Sequence, residues 1–327
     1  MPLVSVEAIR AAAERIKSIA RRTPVIDVSD LAGRPLFLKC EPQQPGGAFK
    51  IRGASNMVMR LSDDQRRRGV VTYSSGNHGQ AVALAGSRLG APAVIVMPTT
   101  TPAIKVEGVK RWGGEAIFEG TTSNDRRVRA EKEAAARGLT MVPPFDHEWI
   151  IEGQGTCGLE ILEQAADADV IVVPMGGGGL VSGVAAAVKQ SGSKARIVGV
   201  EPAGAAKMTA SLAAGHPVTL DKTSSIADGL MPVRPGDLTF EHVRKFVDEV
   251  VTVTDEEIAK AALWLFFEAK QVVEPSGAAT VAAVIAGRGR ILADRSLRAV
   301  AILSGGNVSP ETLMRLSSQG SAEAVTR

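Results

Sequence analysis

Lys50 stands in the run Gly46-Gly47-Ala48-Phe49-Lys50-Ile51-Arg52-Gly53-Ala54, where two glycines form a loop and the stretch from Ile51 to Leu61 reads as helical. A lysine at a helix N-terminus meets the positive end of the macrodipole, and Phe49 and Ile51 desolvate its amine. Both effects favour the neutral amine, the form that attacks a carbonyl carbon and makes a Schiff base. A snorkelling surface lysine is the ordinary alternative, and nothing local to Lys50 displaces it. The other reactive segments must weigh in.

Three glycine-rich turns follow strand-like runs. Val170 to Pro174 leads into Gly176, Gly177, Gly178 and Gly179 and then a helical stretch from Leu180 to Gln190. That order points backbone N–H groups and a positive helix end at an anion such as a phosphate. Four glycines in a row carry an entropic cost that a plain turn does not require. No Lys-Ser/Thr pair follows, so this is not a nucleotide P-loop. A dinucleotide fingerprint is closer, with Glu201 ending the next strand, but Val181 or Ser182 stands where a third small residue is wanted, and NAD is the weaker reading. Ser74-Ser75-Gly76-Asn77-His78-Gly79 offers hydroxyls, an amide and the start of the helix Gln80 to Leu89, a set suited to a carboxylate. Ser304-Gly305-Gly306-Asn307 places a hydroxyl at the end of a buried run. Of the four histidines only His78 falls in a candidate site; His147, His216 and His242 read as surface or loop residues. Glu274-Pro275-Ser276-Gly277 reads as a helix start, with an acid near the site as the alternative.

The elements that position these turns alternate. Gly69 to Tyr73, Ala93 to Met97, Glu115 to Phe118, Val170 to Pro174, Arg196 to Val200 and Ala299 to Leu303 are strand-like, with Ala-rich helical stretches between them. Apolar runs without alternation mean sheets covered on both faces, hence an α/β fold of open twisted, mostly parallel sheet. The expected division is a large lobe of residues 1–52 plus 146–327 and a small lobe of residues 53–145, left at Pro143-Pro144. Ligands in such sheets sit beyond the carboxyl ends of strands, where the three turns can converge. Val6 to Arg22 reads as the first structural helix, since Glu7 and Glu14 argue against a transit peptide.

Composition narrows the function. Thirty-eight basic against thirty-five acidic residues, dispersed and with only 4% aromatics, argues against nucleic acid. Arg66-Arg67-Arg68 and Arg126-Arg127 read as solvated helix faces. No apolar stretch approaches a membrane span. Cys40 and Cys157 lack metal or redox spacing and read as reduced core thiols, which places the chain in the cytoplasm.

Taken together, Gly47 to Ala54, Ser74 to Gln80, Gly176 to Gly179 and Ser304 to Asn307 resemble the serine racemase and threonine/serine dehydratase family, pyridoxal-phosphate enzymes of the tryptophan-synthase β-like fold (fold type II). The likeness extends through Phe145-Asp146, Gly153 to Thr156 and Ile226-Ala227-Asp228-Gly229. It implies that Lys50 carries the cofactor and acts as base at Cα, that Phe49 and Asn77 touch the cofactor ring, that Gly176 to Gly179 cradle the phosphate, and that Ser304 meets the ring nitrogen. Ser74, Ser75, Asn77, His78 and Gly229 fall on the substrate side. In the racemase branch a serine at the position of Ser75 works the face of Cα opposite the lysine, whereas many strict dehydratases carry alanine. Arg126 matches by spacing an arginine able to meet an acidic side chain, with a solvated arginine as the alternative. Mg-binding members resemble Glu201 to Ala205, but Lys207 stands where they carry a second acid, so no metal is expected and Lys207 can pair with Glu201. The chain is thus expected to be a cytoplasmic homodimer that eliminates water from L-threonine or L-serine, giving a 2-oxo acid and ammonia. The alternatives are a serine racemase, a 3-hydroxyaspartate dehydratase, an NAD-binding oxidoreductase and a non-catalytic phosphate sensor.

Overall fold

A computed structural model describes residues 2–74, 76–101 and 103–320. Ten strands alternate with helices: β1 (Val25–Asp27), β2 (Leu36–Cys40), β3 (Val70–Tyr73), β4 (Ala93–Met97), β5 (Glu115–Phe118), β6 (Thr140–Met141), β7 (Val170–Pro174), β8 (Arg196–Pro202), β9 (Glu249–Val253) and β10 (Ala299–Leu303). They form two sheets, ordered β1-β2-β10-β7-β8-β9 and β5-β4-β3-β6. Every pairing is parallel except β1 with β2. The six strand-like runs are all strands.

Both faces of the six-stranded sheet are covered. The helix Pro275–Ile285 packs on one side of β7 and β10, and the helix Gly179–Gln190 on the other. All five residues of β7 and of β10 are buried, which is why both read as unbroken apolar runs. β2, β10 and β7 are neighbours although far apart in sequence, because β10 returns between β2 and β7. Their carboxyl ends therefore share one edge at a topological switch point.

The Lys50–Met59 helix is fixed from two sides. It crosses the helix Glu148–Gln164 so closely that a Cβ on Gly153 would stand 2.6 Å from the Arg52 carbonyl oxygen. Beside it, the Arg52 guanidinium forms a fork on Glu41, with Nε and Nη2 each 2.8 Å from a carboxylate oxygen. Arg52 Nη1 also reaches Glu160 at 2.6 Å, and Lys39 Nζ meets the same Glu160 carboxylate at 2.6 Å. Arg52, Glu41 and Lys39 are all buried. Burial pushes the Glu41 carboxyl up, but the Arg52 guanidinium outweighs it and holds the group below its usual range.

One histidine departs from its expected surface or loop place. His242 is fully buried; its Nδ1 lies 2.8 Å from the Leu238 carbonyl and its Nε2 accepts from Val4 N–H at 2.9 Å. Those partners fix a neutral ring, and burial pulls its pKa below the ordinary value. His147 caps the helix Glu148–Gln164, accepting from Trp149 N–H at 3.1 Å. His216 is exposed. Cys40 and Cys157 are buried and unbridged. No described helix is long and apolar enough to cross a membrane.

Candidate active site

The loops after β2, β10 and β7 and the turn after β3 line one crevice of about 800 Å³, within the usual size for small-molecule sites. The Gly46–Phe49 and Ser304–Asn307 segments are zipped together. Phe49 N–H donates to Ser304 O at 3.1 Å, Gly306 N–H to Gly47 O at 2.9 Å, and Asn307 Nδ2 to Gly46 O at 2.8 Å. Asn307 Nδ2 also reaches Asn77 Oδ1 at 2.9 Å, joining the turn after β3 to the same edge. Gly47 has φ +75°, and a side chain there would collide with Asn307.

Lys50 opens its helix with no side-chain cap before it. Its amine donates to the Pro144 carbonyl at 2.6 Å and lies 5.2 Å from the centre of the Phe49 ring. Burial lowers its pKa to about 8, so a sizeable neutral fraction exists near neutral pH. His78 lines the same crevice but turns its Nε2 to the Val142 carbonyl at 3.1 Å. Burial first, and the Lys50 charge second, push its pKa down to about 3; the ring is neutral and a poor proton acceptor. Ser74 Oγ accepts from Gly76 N–H at 3.3 Å. Ser75 lies outside the described residues.

The tetrad closes a tight turn between β7 and its helix. Gly178 has φ +100°, and a Cβ on Gly177 would overlap the Phe145 ring. The helix Gly179–Gln190 has no side-chain cap, so its first N–H groups are left for a ligand. Ser304 is buried at the end of β10, and Gly229 N–H donates to Ser276 Oγ at 2.8 Å on the opposite wall.

Three further residues line the crevice, and of these Lys105 alone gave no signal in the sequence. Glu274 is buried and accepts from Asn77 Nδ2 at 2.7 Å. Burial, then the charge of Asp228, raises its pKa to about 8, so it is protonated at neutral pH. The Glu274-Pro275 segment reads as a helix start with an acid near the site as the alternative, and the structure gives both: Glu274 precedes the helix Pro275–Ile285 and lines the crevice. Lys105 reaches across from the small-sheet side to Asp228 at 2.6 Å. Arg126 lines the crevice instead of facing bulk solvent; it bonds Ser123 Oγ at 2.9 Å and keeps a buried Nε without a partner.

Glu274 carries a stability prediction. Its folded pKa stands above its unfolded value, so its contribution is full below the unfolded pKa and is lost as pH rises through about 8. Glu274→Gln keeps an acceptor for Asn77 and removes the titration. Thermal melting at pH 6 and pH 9 should therefore show a smaller alkaline loss in the variant than in the parent, and equal losses would contradict the assignment.

The sequence profile of the family described as pyridoxal-phosphate dependent enzyme matches residues 16–305. The L-threonine ammonia-lyase of Thermotoga maritima is 40% identical over 97% of this chain and 79% of its own length. The serine racemase of Arabidopsis thaliana is 45% identical over 92% of each chain. Maize serine racemase superposes with a TM-score of 0.91 at 41% identity, covering all of both chains. A likeness of this extent, on a crevice built around a lysine, a glycine tetrad and a buried serine, establishes that the chain belongs to the pyridoxal-phosphate-dependent enzymes of fold type II, in the threonine dehydratase and serine racemase family.

Proposed function

We propose that the protein is an ammonia-lyase that eliminates water from L-threonine or L-serine, with Lys50 as the base at Cα. Membership in a pyridoxal-phosphate family removes the nicotinamide and phosphate-sensor alternatives. The observation that carries the proposal is the Lys50 amine, held in the crevice with a pKa lowered to about 8.

The residues present suit the cofactor. Gly176 to Gly179 would hold the phosphate on open N–H groups where any Cβ at Gly177 collides with Phe145. Ser304 would meet the ring nitrogen, Phe49 and Asn77 would flank the ring, and Lys50 would carry the carbonyl carbon. Bound pyridoxal phosphate supplies the electron sink that stabilises negative charge at Cα. A serine hydroxyl does not hold the ring nitrogen protonated, so the sink is modest and prompt loss of a β-leaving group is favoured. Lys50 Nζ would take the Cα proton and return it to the β-hydroxyl, which leaves as water. Ser74, Asn77 and His78, from the turn after β3, and Gly229 from the opposite wall would orient the substrate, a reading supported by their lining one crevice. The likeness to the racemase branch supports a second proton-transfer role for Ser75, which makes racemisation the companion activity.

Gly177→Val should expel the cofactor. Overpacking of about 1–3 kcal/mol weakens retention by roughly five- to 150-fold, read as pyridoxal phosphate bound per chain.

Arg126 supports a second substrate reading. Its half-buried guanidinium, with an unpartnered Nε, suits a side-chain carboxylate, hence a 3-hydroxyaspartate dehydratase. Residues 53–145 would then act as a small lobe bringing Arg126 over the large one. The family likeness also carries the expectation of a cytoplasmic homodimer, in keeping with two buried free thiols. One panel tests these readings: L-serine, D-serine, L-threonine and the 3-hydroxyaspartate isomers, scored for 2-oxo acid and for inversion. Release of oxo acid fastest from L-threonine or L-serine is expected. Inversion without elimination would make the protein a racemase, and preference for 3-hydroxyaspartate would favour the Arg126 reading.

A further inference from the structure

Lys207 is among the largest fully buried side chains, and its ammonium lies inside a shell of oxygens. Nζ is 3.0 Å from Met175 O, 3.0 Å from Ala205 O, 3.1 Å from Leu230 O and 3.1 Å from Glu201 Oε1. Every one of these atoms accepts and none donates. A neutral amine would turn its lone pair towards an oxygen; an ammonium gives one N–H to each of the three carbonyls and meets Glu201 through its charge. Glu201 is satisfied in turn by Met208 N–H, Thr209 N–H and the Thr209 hydroxyl, each at 2.9 Å, at the start of the helix Lys207–Ala214. Helix and carboxylate thus keep the negative charge in place beside the ammonium.

The shell joins two segments that also touch directly, since a Cβ on Gly176 would stand 3.0 Å from Gly229 O. Met175 is the residue before Gly176, and Leu230 follows Gly229 in the turn Asp228–Leu230. One cation therefore bridges the tetrad and the wall opposite it. The spacing matters as well: 3.0–3.1 Å suits an ammonium, whereas Mg²⁺ draws oxygens to about 2.0–2.1 Å and Ca²⁺ to about 2.3–2.6 Å.

We propose that Lys207 is a tethered cation, a positioning residue that fills an ion-like oxygen cage and locks the tetrad to the Gly229 turn. The proposal rests on the reading of those two segments as cofactor and substrate walls. It follows that the parent protein needs no added ion. Chelation with ethylenediaminetetraacetate and addition of Mg²⁺ should each leave its turnover and its melting temperature unchanged.

Lys207→Ala opens the cage, and Lys207→Met fills it with apolar atoms. The alanine variant should bind pyridoxal phosphate about tenfold or more weakly in tetramethylammonium chloride, and ammonium chloride at equal strength should restore binding to within about threefold. Its melting temperature without added cofactor should rise with ammonium in the same way. The methionine variant and the parent should respond to neither salt. Cofactor binding by the alanine variant equal to the parent in tetramethylammonium, or no recovery in ammonium, overturns the proposal. So does activity of the parent that is lost to a chelator and restored by Mg²⁺. Should the alanine variant fail to fold in either salt, Lys207→Gln decides: it keeps size and a donor without charge, and parent-like cofactor affinity in it excludes the charge as the tie. The ion-dependent melting is read without cofactor, so it stands or falls separately from the function assigned to Lys50.

Discussion

Lys50→Ala should abolish release of 2-oxo acid, by about 10⁴-fold or more, because one change removes both the covalent seat of the cofactor and the base that works on Cα. The two losses are separable. Borohydride reduction followed by peptide mass analysis should find the cofactor on the Lys50 peptide of the parent and on no peptide of the variant. Small primary amines should restore some turnover to the variant, since they replace the base without the tether. The titration gives a third readout. A pKa lowered to about 8 by burial means that the neutral fraction of Lys50 climbs about tenfold per pH unit below that value and levels off above it. Cofactor reloading should follow the same curve, whereas an ordinary exposed lysine would keep climbing towards pH 10. Turnover within tenfold of the parent in Lys50→Ala would remove Lys50 from the reaction.

What the sequence made legible were the segments whose chemistry demands unusual residue types. A run of four glycines is uncommon without a close approach, and Gly177 against Phe145 is that approach. Strands covered on both faces announce themselves as apolar runs, so β3, β4, β7, β8 and β10 were readable, and the half-exposed edge strand β5 was readable from its short apolar core Ala116-Ile117-Phe118. β1, β2, β6 and β9 were not: β1 and β6 are only three and two residues long, and β2 carries Lys39, whose burial depends on a partner 121 residues away. Burial of a polar group is a tertiary property that local sequence does not encode. His242 was misread for that reason, since its acceptor role is fixed by Val4 at the other end of the chain. Glu274 carried the signal of a helix start with an acid at the site only as the alternative, because its raised pKa depends on the wall that buries it and on Asp228. Arg126 shows the same limit: its charged helix suits a solvated face and the likeness suits a site arginine, and only the fold, which lays it on the crevice, decides between them.

Arg52→Met should produce the largest loss of stability, about 3–5 kcal/mol, for an electrostatic reason and not for lost packing. Arg52 is 1% exposed and Glu41 is fully buried, and the pair is joined by two bonds of 2.8 Å. With the guanidinium gone, Glu41 keeps its bond from the Thr23 hydroxyl at 2.6 Å but loses the charge that holds it ionised. It must then remain as an isolated buried anion or take up a proton, and either costs free energy. Glu160 is less exposed to this penalty because Lys39 still meets it at 2.6 Å. Melting should therefore fall by about 10 °C, and adding Glu41→Gln should recover part of the loss, a coupling well beyond the roughly 0.5 kcal/mol expected of independent sites. Additive losses would mean that the pair is no electrostatic unit. The same double variant tests the link to function. If the Arg52 fork sets the first turn of the Lys50 helix, a refolded and restabilised chain should still reload cofactor more slowly than the parent, since its amine is no longer held against the Pro144 carbonyl. Recovery of stability together with full reloading would make the cluster a matter of folding alone and leave the placement of Lys50 to the close crossing at Gly153.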